Sequence, residues 1–262
     1  MVQSPDTHTG LSPQDASAGP GNTRQSDWFD FTPLLGGVPV KAILSQRNSD
    51  YQGVSLADYR KVLAGKLGLP LQRIAVPQQV HGNRVETARP GHVHPETDGL
   101  FTDDPAVILS LQVADCAPIF FYHRPTGYRG LVHAGWRGLA SGVLTTAAGF
   151  LRARGVELCQ TDVVIGPTIE MACYEVGSAV TELFSPTVWQ PNSNGRFQLD
   201  LLAAVREQLV EAGIPGARIN SVDVCTRCDS RCHSYRRDEE LAGRMVAFFY
   251  IDRGIEKCKM QT

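Results

Sequence analysis

The 262-residue chain has no apolar run approaching the ~20 residues that a membrane-spanning helix needs, so no segment reads as a bilayer span. It has no excess of either charge. Lys and Arg number 25 against 27 Asp and Glu, a formal net charge of −2, which gives no electrostatic reason to expect nucleic acid or an anionic membrane as partner. Histidine is scarce. Of the seven, only His92-Val-His94 forms a His-x-His pair, and that count disfavours a four-copper oxidase, which relies on many such pairs. The first residues lack a basic start followed by an apolar stretch, which argues against a secretory signal. The seven cysteines are odd in number and irregularly spaced, in a chain too large to need covalent staples. Reduced thiols in a cytoplasmic protein are therefore expected, not a disulfide framework.

What is present is an ordinary globular composition, 42% hydrophobic and 20% charged, at a length sufficient for a full core. Residues 1–26 are rich in Gly, Pro, Ser, Thr, Asp and Gln, and read as a flexible tail that cannot bury enough surface to offset its ordering entropy. Residues 27–262 read as one domain without a linker or internal repeat. Strands are expected at Val38–Leu44, Arg73–Val76, Ala106–Val113, Ala117–Tyr122, Tyr128–Val132, Asp162–Ile165 and Arg218–Val224, from their short apolar, β-rich runs. Helices are expected at Ser55–Leu67, with Ser55 as N-cap, and at Gly138–Arg154, stopped by Gly155. Further helices are expected at Val176–Phe184, at Leu199–Ala212 before Gly213, and at Glu239–Phe249. The elements do not alternate as βαβ units, so the fold class is α+β with mixed sheets.

Three segments each place a metal-capable side chain at a strand end or a glycine turn. They are Gln79-Val80-His81-Gly82, Ala114-Asp115-Cys116-Ala117-Pro118 and His133-Ala134-Gly135-Trp136-Arg137-Gly138. Two imidazoles and a thiolate suit zinc, and also copper. Three protein ligands leave a fourth position open, as catalytic zinc sites do. Taken singly, His81 reads more readily as a loop histidine than as a ligand, and Cys116 as a small buried apolar residue; the glycine and polar context around each is what points to a ligand. A second group, Cys225, Cys228, Cys232 and His233, has the form C-x-x-C-x-x-x-C-H, which reads either as a structural metal site or as reduced thiols.

The strings QQVHG, DGLFTDDP, VADCAPI, LVHAGWRGLASGVL, IGP…CYEVG and CTRC…HSYRRD occur in that order between Ile43 and Phe249. In this they resemble the bacterial laccase-domain proteins, a family labelled polyphenol oxidoreductase and later assigned as purine nucleoside phosphorylase. The resemblance implies a four-layer α/β/β/α sandwich and a zinc ion held by His81, Cys116 and His133. It also implies phosphorolysis of adenosine, inosine and methylthioadenosine, and deamination of adenosine, with nucleoside and phosphate as the small-molecule partners.

Arg47 resembles the family's early Thr-Thr-Arg position and is a candidate phosphate or substrate ligand. The Ser-Leu-Asn-Leu segment that usually follows that arginine has no evident counterpart in the NSDYQGVSLADYRKVL that follows here. Arg137 lies in a glycine-rich turn where a helix begins, a location that favours anions. Asp98 and Asp115 are the carboxylates nearest the ligand strings, and Asp115 is a candidate to orient a ligand by hydrogen-bonding to it. Two other functions stay open. One is a cysteine hydrolase or amidase with Cys116 as nucleophile and His133 as base. The other is a copper-loaded polyphenol oxidase.

Overall fold

The computed structural model describes residues 27–36, 39–48 and 53–252. Two six-stranded mixed sheets and a small three-stranded one make up the β-structure of these residues. The first sheet runs in the order β1 (Trp28–Asp30), β2 (Val40–Ser45), β15 (Met245–Ile251), β7 (Ile108–Val113), β3 (Ile74–Pro77), β5 (Val93–His94). The second runs β14 (Ile219–Ser221), β10 (Thr161–Ile165), β8 (Ala117–His123), β9 (Tyr128–Ala134), β6 (Gly99–Thr102), β4 (Val85–Thr87). The third comprises β11 (Glu175–Val176), β13 (Phe197–Leu199) and β12 (Trp189–Pro191).

Side chains alternate across a strand, so each strand feeds two faces. In β15, Val246, Phe248 and Tyr250 pack with Tyr59, Leu63 and Ala64 of helix α1 (Leu56–Lys66), while Met245, Ala247 and Phe249 face the other sheet. In β8, Phe120 and Tyr122 join that inter-sheet core, while Ala117, Ile119 and Phe121 pack on the helices of the opposite face. Those helices are α3 (Val143–Arg152) and α5 (Leu201–Glu211). Three apolar interlayer cores therefore separate four layers, helix, sheet, sheet and helix, which is the expected α/β/β/α sandwich with mixed sheets.

Several expected elements appear close to where the sequence put them. Helix α1 is capped by Ser55, whose hydroxyl accepts a hydrogen bond from the Asp58 amide. Helix α5 is capped by Asp200 accepting from the Ala203 amide, and the chain turns away at Gly213 with φ +98°. The strand expected over Val38–Leu44 is β2, which begins at Val40; Val38 lies outside the described residues, as does the proposed 1–26 tail.

Three expectations are corrected. The helix expected at Gly138–Arg154 is two helices, α2 (Trp136–Ala140) and α3, because Gly142 adopts φ +80° and redirects the chain before capping α3. Only Ser178–Thr181, helix α4, is helical in the segment Val176–Phe184, because Val176 pairs with Phe197 as part of β11. The final helix expected at Glu239–Phe249 is mostly absent. Glu239–Leu241 forms one 3₁₀ turn, and Met245–Ile251 is the strand β15, paired on both sides with β2 and β7. Its β-branched and aromatic run fits a strand buried on both faces, and that environment overrides the helical spacing.

Candidate metal centre

The metal-capable side chains come from three places that the fold joins. His133 lies near the C-terminal end of β9, on the same face as Leu131, which points into the inter-sheet core. Cys116 immediately precedes β8, and the pairing of Pro118 with His133 brings the two chain ends side by side. His81 sits in the loop after β3. One ligand atom of each of His81, Cys116 and His133 lies within 4.8 Å of the others, and the two imidazole rings are 4.8 Å apart at 77°. Gly135 makes this approach possible. A Cβ there would sit 2.7 Å from Cys116 Sγ and 3.2 Å from His81 Cδ2.

Two non-glycine residues in the left-handed region flank the centre, His81 at φ +60° and Asp115 at φ +81°. Such backbone costs of order 1 kcal/mol or more and persists only where surrounding bonds determine it. Asp98 supplies those bonds at His81. It is fully buried, and Oδ1 accepts from the His81 amide at 3.0 Å while Oδ2 accepts from the Val80 and Gly82 amides at 3.2 and 2.7 Å. Oδ1 also accepts from His133 Nδ1 at 2.8 Å, which leaves Nε2 for a metal. Although burial alone would raise its pKa, the bonds from His133 and from the loop amides hold the Asp98 carboxyl below the ordinary carboxylate range.

Asp115 has a different task. Its Oδ1 accepts from the Thr226 hydroxyl at 2.6 Å and its Oδ2 from the Arg236 amide at 2.7 Å, at the start of helix α6 (Tyr235–Asp238). It makes no hydrogen bond to either histidine, so the carboxylate that orients a histidine of the candidate centre is Asp98, while Asp115 fixes the backbone next to Cys116.

Burial opposes ionisation of Cys116, but His133 and His81 beside it win, and the thiol falls to about 6. Burial likewise opposes the charged form of His133, yet Cys116 and Asp98 raise it to about 9. A soft thiolate and two imidazoles, one of them oriented by a buried carboxylate, are a donor set that suits zinc or copper.

The centre opens into a cavity of about 550 Å³, within the range of small-molecule sites. Arg137 lines it with its guanidinium 4.4 Å from the Trp136 ring centroid. Tyr174, Arg236 and Arg244 also line it, and none of them is among the candidate site residues read from the sequence. The first two lie in the CYEVG and HSYRRD strings, so the signal was present; for Arg244 there was none. Arg236 lies 5.0 Å from the Tyr174 ring and donates to the Glu175 carbonyl at 2.7 Å. Burial, reinforced by the charges of Cys116 and Asp115, pushes the Tyr174 phenol up, so it remains a hydrogen-bond donor.

Arg47 is not among the residues lining this cavity. Its guanidinium is 3.5 Å from Asp238, and its amide donates to the Arg231 carbonyl. Residues 49–52 of the segment that follows it lie outside the described residues.

The grouping of Cys225, Cys228, Cys232 and His233 is also corrected. Cys232 is fully buried in the inter-sheet core, and the His233 ring packs against Gly243, where an added Cβ would lie 2.4 Å from it. Burial, with Arg47, Arg237 and Arg244 adding to it against Asp238, lowers His233 to about 4. The unfolded chain, with an ordinary value near 6.5, takes up this proton first, so the contribution of His233 to stability is complete above pH 6.5 and is lost as pH falls towards 4. His233→Gln is expected to flatten the dependence of unfolding free energy on pH over that window by about 2 kcal/mol, reduced from the full shift by residual water contact. Urea melts at pH 7 and pH 4.5 check this, and equal slopes for both proteins would refute it.

Among the described residues, no helix is long and apolar enough to cross a membrane. Residues 44–252 match the family model described as multi-copper polyphenol oxidoreductase laccase. The chain is 37% identical over 214 residues to purine nucleoside phosphorylase YlmD of Geobacillus stearothermophilus, covering 72% of this chain and 76% of that protein. It is 30% identical over 233 residues to adenosine deaminase RL5 of an unknown prokaryotic organism, covering 77% and 88%. The crystal structure of YlmD from Geobacillus stearothermophilus superposes with a TM-score of 0.78 at 30% identity, covering 91% of this chain and 98% of that one. Bacillus licheniformis hypothetical protein YfiH superposes with a TM-score of 0.75 at 28% identity, covering 81% and 92%. With a match that takes in the whole second sheet, most of the first and all three residues of the candidate metal centre, the chain belongs to the multi-copper polyphenol oxidoreductase laccase family.

Proposed function

We propose that this protein is a zinc-dependent purine nucleoside phosphorylase, which converts adenosine, inosine or methylthioadenosine and phosphate to the free base and ribose 1-phosphate. Adenosine deamination is the second reaction of the same cavity. The observation that carries this reading is the opening of a three-ligand centre into a nucleoside-sized cavity lined by arginines. The names of the relatives, purine nucleoside phosphorylase and adenosine deaminase, support it. The described cysteines are all free thiols, which fits a reducing, cytoplasmic setting.

His81, Cys116 and His133 would hold the metal, which supplies Lewis acidity and a lowered pKa for a bound water. The remaining work belongs to the chain. Asp98 keeps His133 in the tautomer that presents Nε2. Arg137, Arg236 and Arg244 give the cavity a positive lining suited to phosphate. Tyr174, held neutral, donates a hydrogen bond to a substrate oxygen or nitrogen.

The test is to incubate zinc-loaded protein with adenosine and phosphate, and to separate adenine, ribose 1-phosphate and inosine by chromatography. Adenine formed only when phosphate is present supports phosphorolysis; absence of both adenine and inosine overturns the reading. Arg137→Ala is expected to raise the KM for phosphate by about 10- to 100-fold, the loss of one charged hydrogen bond, and to leave phosphate-independent deamination nearly unchanged. Equal losses in both reactions would show that Arg137 does not serve phosphate.

The proximity of Cys116 to His133 favours one other reading, a cysteine hydrolase. A thiolate committed to a metal is a poor free nucleophile. Rapid alkylation of Cys116 by iodoacetamide in the metal-loaded protein would favour the hydrolase, and protection would favour the phosphorylase.

A further inference from the structure

The sulfurs of Cys173, Cys225 and Cys228 lie within 4.8 Å of one another, with Cys173 and Cys228 at 3.2 Å. Two distant loops meet there. Cys173 closes the 3₁₀ turn Met171–Cys173, just before the cavity residue Tyr174. Cys225 and Cys228 bracket a C-x-x-C turn, in which the Asp229 amide donates to the Cys225 carbonyl at 2.9 Å. The loops are already strapped together by the bridge between Thr168 and Cys225, and by the Thr226 amide donating to the Thr168 carbonyl.

We infer that these three cysteines form a second metal site, for a thiophilic divalent ion of the zinc class. A C-x-x-C turn joined by a third cysteine from another loop is a common way to build a zinc–thiolate centre. Zinc–sulfur bonds of ~2.3 Å in a tetrahedron place sulfurs a little under ~4 Å apart, so the observed cluster needs only small adjustments to take an ion. Three thiolates around a divalent ion leave one net negative charge. The Arg227 guanidinium, whose Nη1 donates to Cys173 Sγ at 3.6 Å, offsets it. Cys225 is buried and Cys228 exposed, so solvent reaches the cluster from the Cys228 side. No fourth His, Cys, Asp or Glu joins the group among the described residues, so solvent supplies the remaining ligand.

The ion pins the wall of the cavity. Tyr174 follows one ligand directly, and Thr226, which holds Asp115 beside Cys116, lies between the other two. The site therefore has a positional role and does not depend on which reaction the cavity performs.

The test measures zinc by mass spectrometry in the full-length protein, purified under reducing conditions and loaded with zinc chloride. About two zinc ions per chain are expected, falling to about one both in Cys173→Ser/Cys228→Ser and in Cys116→Ala/His133→Ala. In the latter variant, cobalt substitution should give intense thiolate-to-cobalt charge-transfer absorption, and chelation should lower the melting temperature. Absence of zinc from Cys116→Ala/His133→Ala, or a Cys173–Cys228 disulfide in peptide maps of the unreduced wild type, would overturn the assignment. Should Cys173→Ser/Cys228→Ser fail to fold, the Cys116→Ala/His133→Ala protein still decides.

Discussion

Asp98→Asn is expected to weaken zinc binding by about 10- to 100-fold, with nucleoside turnover falling in step at limiting zinc. Asp98 accepts four hydrogen bonds, two at each oxygen. An asparagine can keep the two acceptor contacts at one position only. Its NH₂ group must then face two N–H donors, either the amides of Val80 and Gly82 or the pair formed by the His81 amide and His133 Nδ1. The first arrangement frees the His81 loop, whose left-handed backbone depends on those bonds. The second removes the bond that fixes the His133 tautomer. Asp98→Ala is expected to go further and to lower stability by about 3 kcal/mol or more, because it leaves several donors without an acceptor in a site where the carboxylate is fully buried. Zinc competition titrations and denaturant melts measure the two effects separately. Unchanged zinc affinity in Asp98→Asn would show that the carboxylate only builds the loop and does not tune the ligand.

Gly135→Ala should abolish the metal centre while leaving most of the fold intact. Gly135 has φ −92° and ψ 169°, extended backbone that alanine adopts freely, so the expected effect is steric. The new methyl would stand 2.7 Å from Cys116 Sγ and 3.2 Å from His81 Cδ2. To relieve this contact, either two of the three ligands move apart or Gly135 draws back with the start of helix α2. Overpacking of this kind costs about 1–3 kcal/mol. We expect zinc occupancy and nucleoside turnover to fall at least as far as in Cys116→Ala, with far-ultraviolet circular dichroism unchanged. Full zinc occupancy in this variant would mean that the ligands tolerate a wider spacing than the structure shows.

Much of the secondary structure was legible because local rules agreed with the tertiary setting. Ser55 before an apolar-periodic segment predicted α1, and the apolar, β-rich runs at Ala106–Val113, Ala117–Tyr122 and Tyr128–Val132 are the strands β7, β8 and β9. Where the two disagreed, long-range pairing won. Met245–Ile251 has a pattern compatible with a helix, and only the presence of β2 and β7 on either side makes it a central strand. The second cysteine group shows the same limit. Nearness in sequence suggested Cys232 and His233 as companions of Cys225 and Cys228, whereas the companion in space is Cys173.

From its residues alone, the sequence determined an α+β domain with mixed sheets and which side chains could meet a metal, because residue chemistry and its local glycine and strand context are written in order along the chain. The tertiary structure alone decided the partners: Asp98 rather than Asp115 behind His133, Arg236 and Arg244 rather than Arg47 in the cavity, and Cys173 in the second cysteine cluster. Hydrogen bonds and coordination act over about 3 Å of space, and residues that far apart can be a hundred positions distant in the chain.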